Sequence, residues 1–454
     1  MQLGSRPGPP YRVYLLLESG SSFFSGISYA TVMVYWVTAA RLNPLELLLL
    51  GTGLELSYFI FQLPTGVLAD LVSRRLCTLG GLFVIGLGML TQSLSPAFAT
   101  LFFGQVLVGL GAALNNGAQE AWIADELGHD QMTGVYLRAT QVGLIATVAG
   151  SLLSGVIALD GLELPLRVGG GLCCLFALAV AVVMPERNFR RTQAEAGIGA
   201  IARQASAMLA EQTRSAHRAI VAVPGLVLLF GMTFFAGLWS ESFDRLWGTF
   251  LLHDITFPQL AGLHPAMWFS FIACLVAVGG LGATEVAKRR TERLGSDSVV
   301  GALLTLVVVI GIAAVIMATA HSFVVAVSAY LAVSLLRPVY YPLVDGWMVT
   351  RIAPSVRATA LSAKDMFDSA GQIIGGPVIG VIGTLASIRI ALLTGAAVLA
   401  PAAASIVAAS GRIRAQASGT VAQAEAAQAE AAQAEAVDAA GSADAGFGQP
   451  EPAG

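Results

Sequence analysis

The chain has 454 residues, of which 56% are hydrophobic and only 12% are charged, and its net charge is −3. A soluble domain carries roughly 25% charged residues, and so small a net charge gives no reason to expect nucleic acid as a partner. Apolar runs of about 20 residues recur along the chain, each long enough to cross a hydrocarbon core of ~30 Å as a helix. We therefore expect an all-helical, multi-pass protein of the cell inner (plasma) membrane.

Twelve apolar runs are predicted to form transmembrane spans. They lie at about 13–38, 45–69, 76–96, 99–123, 137–158, 163–184, 221–251, 265–287, 299–319, 322–345, 360–384 and 387–409. The longest gap falls near the middle, so the spans divide six and six, as in transporters built from a repeated unit. The predicted domains are one six-helix half (1–184), a cytoplasmic central loop with an amphipathic helix (185–220), a second six-helix half (221–411) and a disordered low-complexity tail (412–454).

Basic residues are distributed unequally between the two sides of the predicted bundle. With the N-terminus inside, the outer segments hold only Arg41, Arg167 and Arg389, and the other basic residues fall in inner segments, apart from Arg245 and Arg337 within spans. Because Lys and Arg collect in cytoplasmic loops, both termini are predicted to be cytoplasmic. The stretch "PTGVLADLVSRR" then forms the cytoplasmic turn between spans two and three.

Patterns typical of enzymes and metal sites are missing from the sequence. The four Cys fall in or at the ends of spans, and the five His show no ligand spacing. Neither Lys288 nor Lys364 belongs to a phosphate-binding glycine loop. We therefore expect no cofactor, no metal and no enzymatic activity.

The turn between spans two and three carries a family resemblance. "GVLADLVSRR" resembles the loop 2–3 signature of the major facilitator superfamily, roughly G-x-L-A-D-R-x-G-R-R. The matching positions are Gly66, Leu68, Ala69, Asp70, Arg74 and Arg75; Leu71 and Ser73 depart from the signature. In physical terms, Gly66 would allow close helix packing, and Asp70 would meet an Arg or a helix N-terminus. The resemblance implies a gate in which Asp70 contacts the start of span eleven, near Lys364.

Other stretches extend the resemblance over about 12–410. "LFFGQVLVGLGAAL" resembles the fourth-span signature, with Gln105 where that signature carries Arg. "AGSLLSG" resembles a worn form of the fifth-span element of drug antiporters, and "GGPVIGVIG" a fuller form in span eleven. "ELSYFIFQLPTGVLAD", "GAQEAWIADELG" and "SESFDRLW" look like one bacterial branch of multidrug, macrolide or tetracycline-type exporters.

Further charged residues near the inner ends of spans are predicted to belong to the gate. Asp125 is expected to pair with Arg138, and Asp365, with Asp368, to join Asp70 and Arg75. A short echo supports a repeated unit, since "RAT" follows Asp125 at Arg138–Thr140 and follows Asp345 at Arg357–Thr359.

Three acids are candidates for proton coupling. Glu55 lies about ten residues into span two, so roughly 15 Å deep, where an ionisable group is costly and often functional; alternatively it is a structural Glu packed between helices. Glu18, in span one, would bind protons or a cationic substrate, or else pair with Arg12. In span seven, Glu241 and Arg245 have the i,i+4 spacing of an ion pair, which would leave Asp244 the freer acid.

Candidates for substrate binding are polar and aromatic residues of spans four, seven and ten: Gln105, Asn115, Gln119, Trp239, Arg337 and Tyr341. The amides could equally join helices to each other. Arg337 shares a helix face with Tyr341 and needs either an acidic partner or an anionic substrate.

The leading hypothesis from the sequence is proton-coupled export of small amphipathic compounds by alternating access. The expected partners are a small-molecule substrate, protons and the lipid bilayer, and the protein is expected to act as a monomer. One alternative is an importer or facilitator of a specific solute with the same fold. A second is a membrane sensor that transports nothing, in which the loop and tail would carry the function.

Overall fold

The computed structural model describes residues 8–128, 132–189, 226–259, 262–291, 296–351 and 357–411, with isolated positions between 199 and 214. All regular structure in these ranges is helical. The predicted amphipathic helix of the central loop, apart from those isolated positions, and the predicted disordered tail lie outside the described residues.

The described helices follow the predicted apolar runs. They are α1 (Pro9–Tyr29), α2 (Val32–Val34), α3 (Pro44–Leu71), α4 (Arg74–Gln92), α5 (Phe98–Asn115), α6 (Ala118–Leu127), α7 (Met132–Ile157), α8 (Leu164–Val183), α9 (Leu226–Asp254), α10 (Pro265–Thr291), α11 (Ser296–Thr319), α12 (Phe323–Arg351), α13 (Arg357–Leu385) and α14 (Ile388–Gly411). A π-helical segment, Tyr35–Ala39, continues α2. By length and composition, nine segments of the described chain could cross a membrane, so the prediction of a multi-pass helical protein is confirmed at that level.

Local sequence signals explain where two helices of the first half begin. Asn43 and Glu46 form a capping box at the start of α3, in which each side chain accepts the backbone N–H of the other residue, at 3.0 and 2.9 Å. Ser73 accepts the N–H of Leu76 at 3.0 Å and so caps α4. The Ser that departs from the family signature therefore fixes the start of the helix that carries Arg74.

Small residues bring the helices of each half close together. In the first half, α1 packs on α7, where a Cβ at Gly26 would lie 2.7 Å from the carbonyl oxygen of Thr147. In the second half, α9 packs on α13, where a Cβ at Gly237 would collide with the Asp368 carbonyl. Without bulky side chains, van der Waals contact between whole backbones holds the bundle together inside lipid.

The two halves meet tightly at one end of the bundle, through α3 with α13 and α7 with α10. A Cβ at Gly383 would lie 2.8 Å from Pro44, and a Cβ at Gly155 would lie 2.6 Å from Ser270. We call this the closed end. At the opposite, open end, no described atom lies within 4 Å of the Cβ position of Gly66. The packing predicted for Gly66 is therefore not made here, because the facing half stands apart at that end.

Candidate functional site

Arg74 is the centre of a charged cluster at the open end. Its guanidinium donates to Asp125 at 2.5 Å, to Asp70 at 3.2 Å and to the carbonyl of Ala121 at 3.0 Å. The predicted pair of Asp125 with Arg138 is wrong, since the Arg138 side chain donates to Gln141 instead. The forked guanidinium of Arg74 at the start of α4 reaches both acids at once, which explains the preference.

Arg75 points away from Arg74 and holds the segment that follows α8. Its guanidinium donates to the carbonyl of Ala181, and its backbone N–H donates to Glu186 at 2.9 Å. The Ser73 hydroxyl donates to the same carboxylate at 2.6 Å. These contacts of Arg75 all lie within the first half.

The contact between Asp70 and the start of α13, implied by the family resemblance, is not formed. Lys364 pairs instead with Asp345 at 2.6 Å and with Asp365 at 3.0 Å. Asp368 accepts from Gln372 at 2.8 Å, so neither Asp365 nor Asp368 joins Asp70 and Arg75 as predicted. The reason is the same separation at the open end, where the Asp70 side chain is 57% exposed.

The acids of α9 are paired with arginines. Glu241 and Arg245 form the predicted i,i+4 pair at 3.0 Å, with only 4% of the Glu241 side chain exposed. Asp244 accepts from Arg337 at 2.6 Å, so the prediction that Asp244 is the freer acid is wrong. Of the two alternatives for Arg337, an acidic partner and an anionic substrate, the structure shows the acidic partner.

Glu55 and Glu18 form no ion pair among the described residues, although Arg245 lies near enough to Glu55 to act on its charge. Glu55 is half-buried on α3 and makes no hydrogen bond or ion pair within that part of the chain. Glu18 accepts a hydrogen bond from the amide of Gln119 at 3.1 Å, and the alternative pair with Arg12 is not formed. Both side chains are therefore available to a proton or another cation.

Two of the predicted substrate residues in the fourth span serve helix packing. Gln105 is 1% exposed and donates to Gln92 of α4 at 3.2 Å, so it is not accessible to substrate in this conformation, and its predicted contact with substrate stays a prediction. Asn115 lies against α4, where its Cβ would be 3.0 Å from a Cβ at Gly81. Both positions follow from the close approach that glycines allow between α4 and α5.

One cavity in the second half is lined by three of the predicted substrate residues: Trp239, Arg337 and Tyr341. Its other lining residues include Tyr340, Val307 and Leu399, and its volume is only ≈ 20 Å³. A cavity of this size holds about one water, far less than a drug-sized ligand needs. The cavity is therefore no substrate site in this conformation.

Sequence reasoning missed a polar contact beside Glu55. The amide of Asn116, at the break between α5 and α6, donates to the hydroxyl of Tyr58. Tyr58 follows Glu55 by three residues and so shares its helix face. The i,i+3 spacing of Glu55 and Tyr58 could have predicted that they share a helix face. The only sequence signal for the kink that brings Asn116 to Tyr58 is Gly117.

Two helical halves that meet tightly at one end, with acids inside the apolar segments, define the class of secondary transporters. The model of the Major Facilitator Superfamily matches residues 19–362, and the chain belongs to this superfamily. A curated relative, the uncharacterized MFS-type transporter YxaM of Bacillus subtilis (strain 168), is 23% identical over 132 residues. That match covers 28% of this chain and 32% of the relative, so the chain spans about a third of that protein.

Solved structures of transporters share the fold. A bacterial homologue of the human lysosomal transporter Spinster, in an inward-facing and unoccupied conformation, gives a TM-score of 0.69 at 15% identity, over 90% of this chain and 98% of that one. The nucleoside transporter NupG gives 0.68 at 14% identity, over 88% and 98% of the two chains. A POT family transporter gives 0.64 at 14% identity, over 89% and 96%. Because the chain belongs to a superfamily of transporters, the prediction that it is not an enzyme is confirmed.

Proposed function

We propose that the protein exports small amphipathic compounds from the cytoplasm in exchange for protons. The observation that carries this proposal is the state of Glu55, a carboxyl within an apolar helix that forms no ion pair among the described residues. Burying an acid without an ion pair at that depth costs free energy, and such residues usually have a function. Proton binding and release at such a group is a direct way to link a pH gradient to movement of the two halves.

The described conformation fits one state of an alternating-access cycle. If the positive-inside pattern holds, the open end bearing Asp70 is cytoplasmic. The protein would then be inward-facing, like the unoccupied Spinster homologue with which it shares its fold. Contacts at the closed end, such as Gly383 on Pro44, would have to break to let substrate out.

We further propose that a positively charged substrate competes with protons for the acids of the first half. Glu55 and Glu18 form no ion pair with a described residue; Arg245, already paired with Glu241, only partly offsets the charge of Glu55, so a cation would still be attracted to both acids. The second half offers less, because Glu241 and Asp244 are already neutralised by Arg245 and Arg337, and Asp368 is bonded to Gln372 and near Arg337 and Lys364. Exchange follows if substrate and proton cannot bind at once.

The test uses inverted membrane vesicles with a preset pH gradient and a lipophilic dye cation as substrate. We expect the intact protein to dissipate the gradient when the cation is added, and Glu55→Gln to abolish that response. Asp254→Asn is a matched control, because Asp254 is an acid of the second half paired with Arg389 at 3.0 Å. A response that persists in Glu55→Gln would overturn the assignment of Glu55.

A specific observation keeps solute import or facilitated transport as a second candidate. Gln105, where the fourth-span signature of exporters carries Arg, is buried and bonded to Gln92, so it supplies no charge to the central region. Proteoliposomes loaded with unlabelled solute distinguish the two. Counterflow of a labelled solute without any pH response would favour this candidate.

A further inference from the structure

The fourth apolar run is broken into two helices at a glycine. α5 ends at Asn115, Asn116 is extended, and Gly117 has a φ of 72°. α6 then runs for 10 residues and is followed by Gly128, with a φ of 84°. No described atom lies within 4 Å of the Cβ position of either glycine, so backbone conformation and not packing requires glycine there. α6 is therefore a separate helix of roughly 15 Å, and the chain turns at both of its ends.

The first turn of α6 is bonded to a candidate coupling acid. Gln119 is buried, and its amide donates to Glu18 of α1 at 3.1 Å. A hydrogen bond to an ionised carboxylate is about twice as strong as one to a neutral group, and a helix N-terminus also attracts negative charge. Ionised Glu18 therefore holds the start of α6 more firmly than protonated Glu18 does.

The rest of α6 is bonded to the charged cluster at the open end. Its last turns accept two hydrogen bonds from Arg74, at Asp125 and at the carbonyl of Ala121. Between these, Trp122 is 1% exposed and donates to the carbonyl of Pro185 at 2.6 Å. A shift of the first turn must therefore be carried through a packed helix to the guanidinium that also holds Asp70.

We propose that α6 is a rigid lever that transmits the ionisation of Glu18 to the Arg74 cluster, with Gln119 as the positioning residue that joins the two. This inference rests on the proposed function only in taking Glu18 to change its ionisation during transport. Protonation weakens the Gln119 contact, the first turn of α6 shifts, and Asp125 moves relative to Arg74. The ion pair between Arg74 and Asp70 then changes, although Glu18 contacts neither residue.

A native cysteine reports on the junction that would move. Cys77 is 4% exposed and packs with Ala69 of α3 and Ala118 of α6. With Cys173, Cys174 and Cys274 replaced by Ala, the rate at which purified protein reacts with a maleimide measures opening of that junction. We expect Glu18→Gln and Gln119→Leu each to raise the rate about fivefold, and the double variant to react no faster than Gln119→Leu alone. Asp160→Asn, at an exposed acid beyond the C-terminal end of α7, should leave the rate unchanged.

Two outcomes would overturn the lever: an unchanged rate in Glu18→Gln, or effects that multiply in the double variant, which would mean independent sites. Gln119→Asn keeps the amide but shortens it, so it replaces Gln119→Leu if that variant does not purify as a single species. The labelling assay needs no transport. A lever without proton-coupled export in vesicles would refute the proposed function alone, and the reverse pattern would refute the lever alone.

Discussion

The two halves of the protein differ in how most of their intramembrane acids are bonded. In the second half, Glu241 and Asp244 are bonded to arginines and Asp345 to Lys364, whereas Asp368 accepts from the amide of Gln372. In the first half, Glu18 and Glu55 form no ion pair with a described residue. Removing one member of a buried ion pair leaves an uncompensated charge, whereas neutralising an unpaired acid relieves one. Stability should therefore depend on the charges of the second half, and coupling on those of the first.

The largest expected effect on stability is that of Arg245→Met. It leaves Glu241, whose side chain is 4% exposed, without its partner, and such a loss costs about 3–5 kcal/mol. We expect a marked fall in the thermal unfolding temperature of the detergent-solubilised protein. The double variant Arg245→Met with Glu241→Gln should recover much of the loss, because no charge is then left unpaired. A double variant as unstable as the single one would show that packing, and not charge, dominates there.

A smaller effect is expected from Gly51→Ala, which tests how the same ion pair contributes to the closed end. A Cβ at Gly51 would collide with the Glu241 carboxylate and lie 2.6 Å from Nε of Arg245. Overpacking of this kind costs about 1–3 kcal/mol, and opening of the closed end would relieve it. We expect distance measurements between spin labels to show a larger outward-open population.

Gly66→Ala is the matched control on the same helix. No described atom lies within 4 Å of its Cβ position in this conformation, and Ala is favoured over Gly inside a helix. The conformation described here should therefore be kept or slightly favoured. If both variants shifted the outward-open population alike, the close contact of Gly51 with the Glu241–Arg245 pair would not be the cause.

For Glu55→Gln we expect stability to change by less than about 1 kcal/mol, because no described ion pair is broken. The difference in stability loss between Arg245→Met and Glu55→Gln is the most direct test of the difference between the two halves. Thermal unfolding and the vesicle assay on one preparation would measure both properties. A large loss of stability in Glu55→Gln would indicate the alternative role, a structural Glu bonded between helices.

The sequence predicted the helices well and their side-chain contacts poorly. Apolar run length gives depth in the membrane, and i,i+4 spacing gave the Glu241–Arg245 pair, since both depend on one helix only. Asp125 pairs with Arg74, against prediction, and of the acids in the second half the sequence could not select Asp244 as the partner of Arg337. Such pairs depend on the rotation of each helix and on which end of the bundle is closed, and neither is encoded in a single apolar run.

The smallest effect is expected from Gln105→Leu. The amide nitrogen of Gln105 donates to Gln92, but its buried carbonyl oxygen has no partner among the described residues. An unsatisfied buried polar atom costs about 1–3 kcal/mol. Gln105→Leu removes one such oxygen but leaves the buried Gln92 oxygen without its donor, so these two costs offset each other and one hydrogen bond is lost. We expect a small loss of stability and unchanged transport.

The position of Gln105 explains why that result would be informative. If Gln105 remained between α4 and α5 throughout the cycle, substrate would never reach it, and dye transport in Gln105→Leu would match the intact protein. A specific loss of transport with stability intact would mean that the α4–α5 contact opens during the cycle and exposes the amide. The first half would then supply a neutral hydrogen-bonding residue in addition to its acids, and the contrast between the halves would be one of chemistry as well as charge.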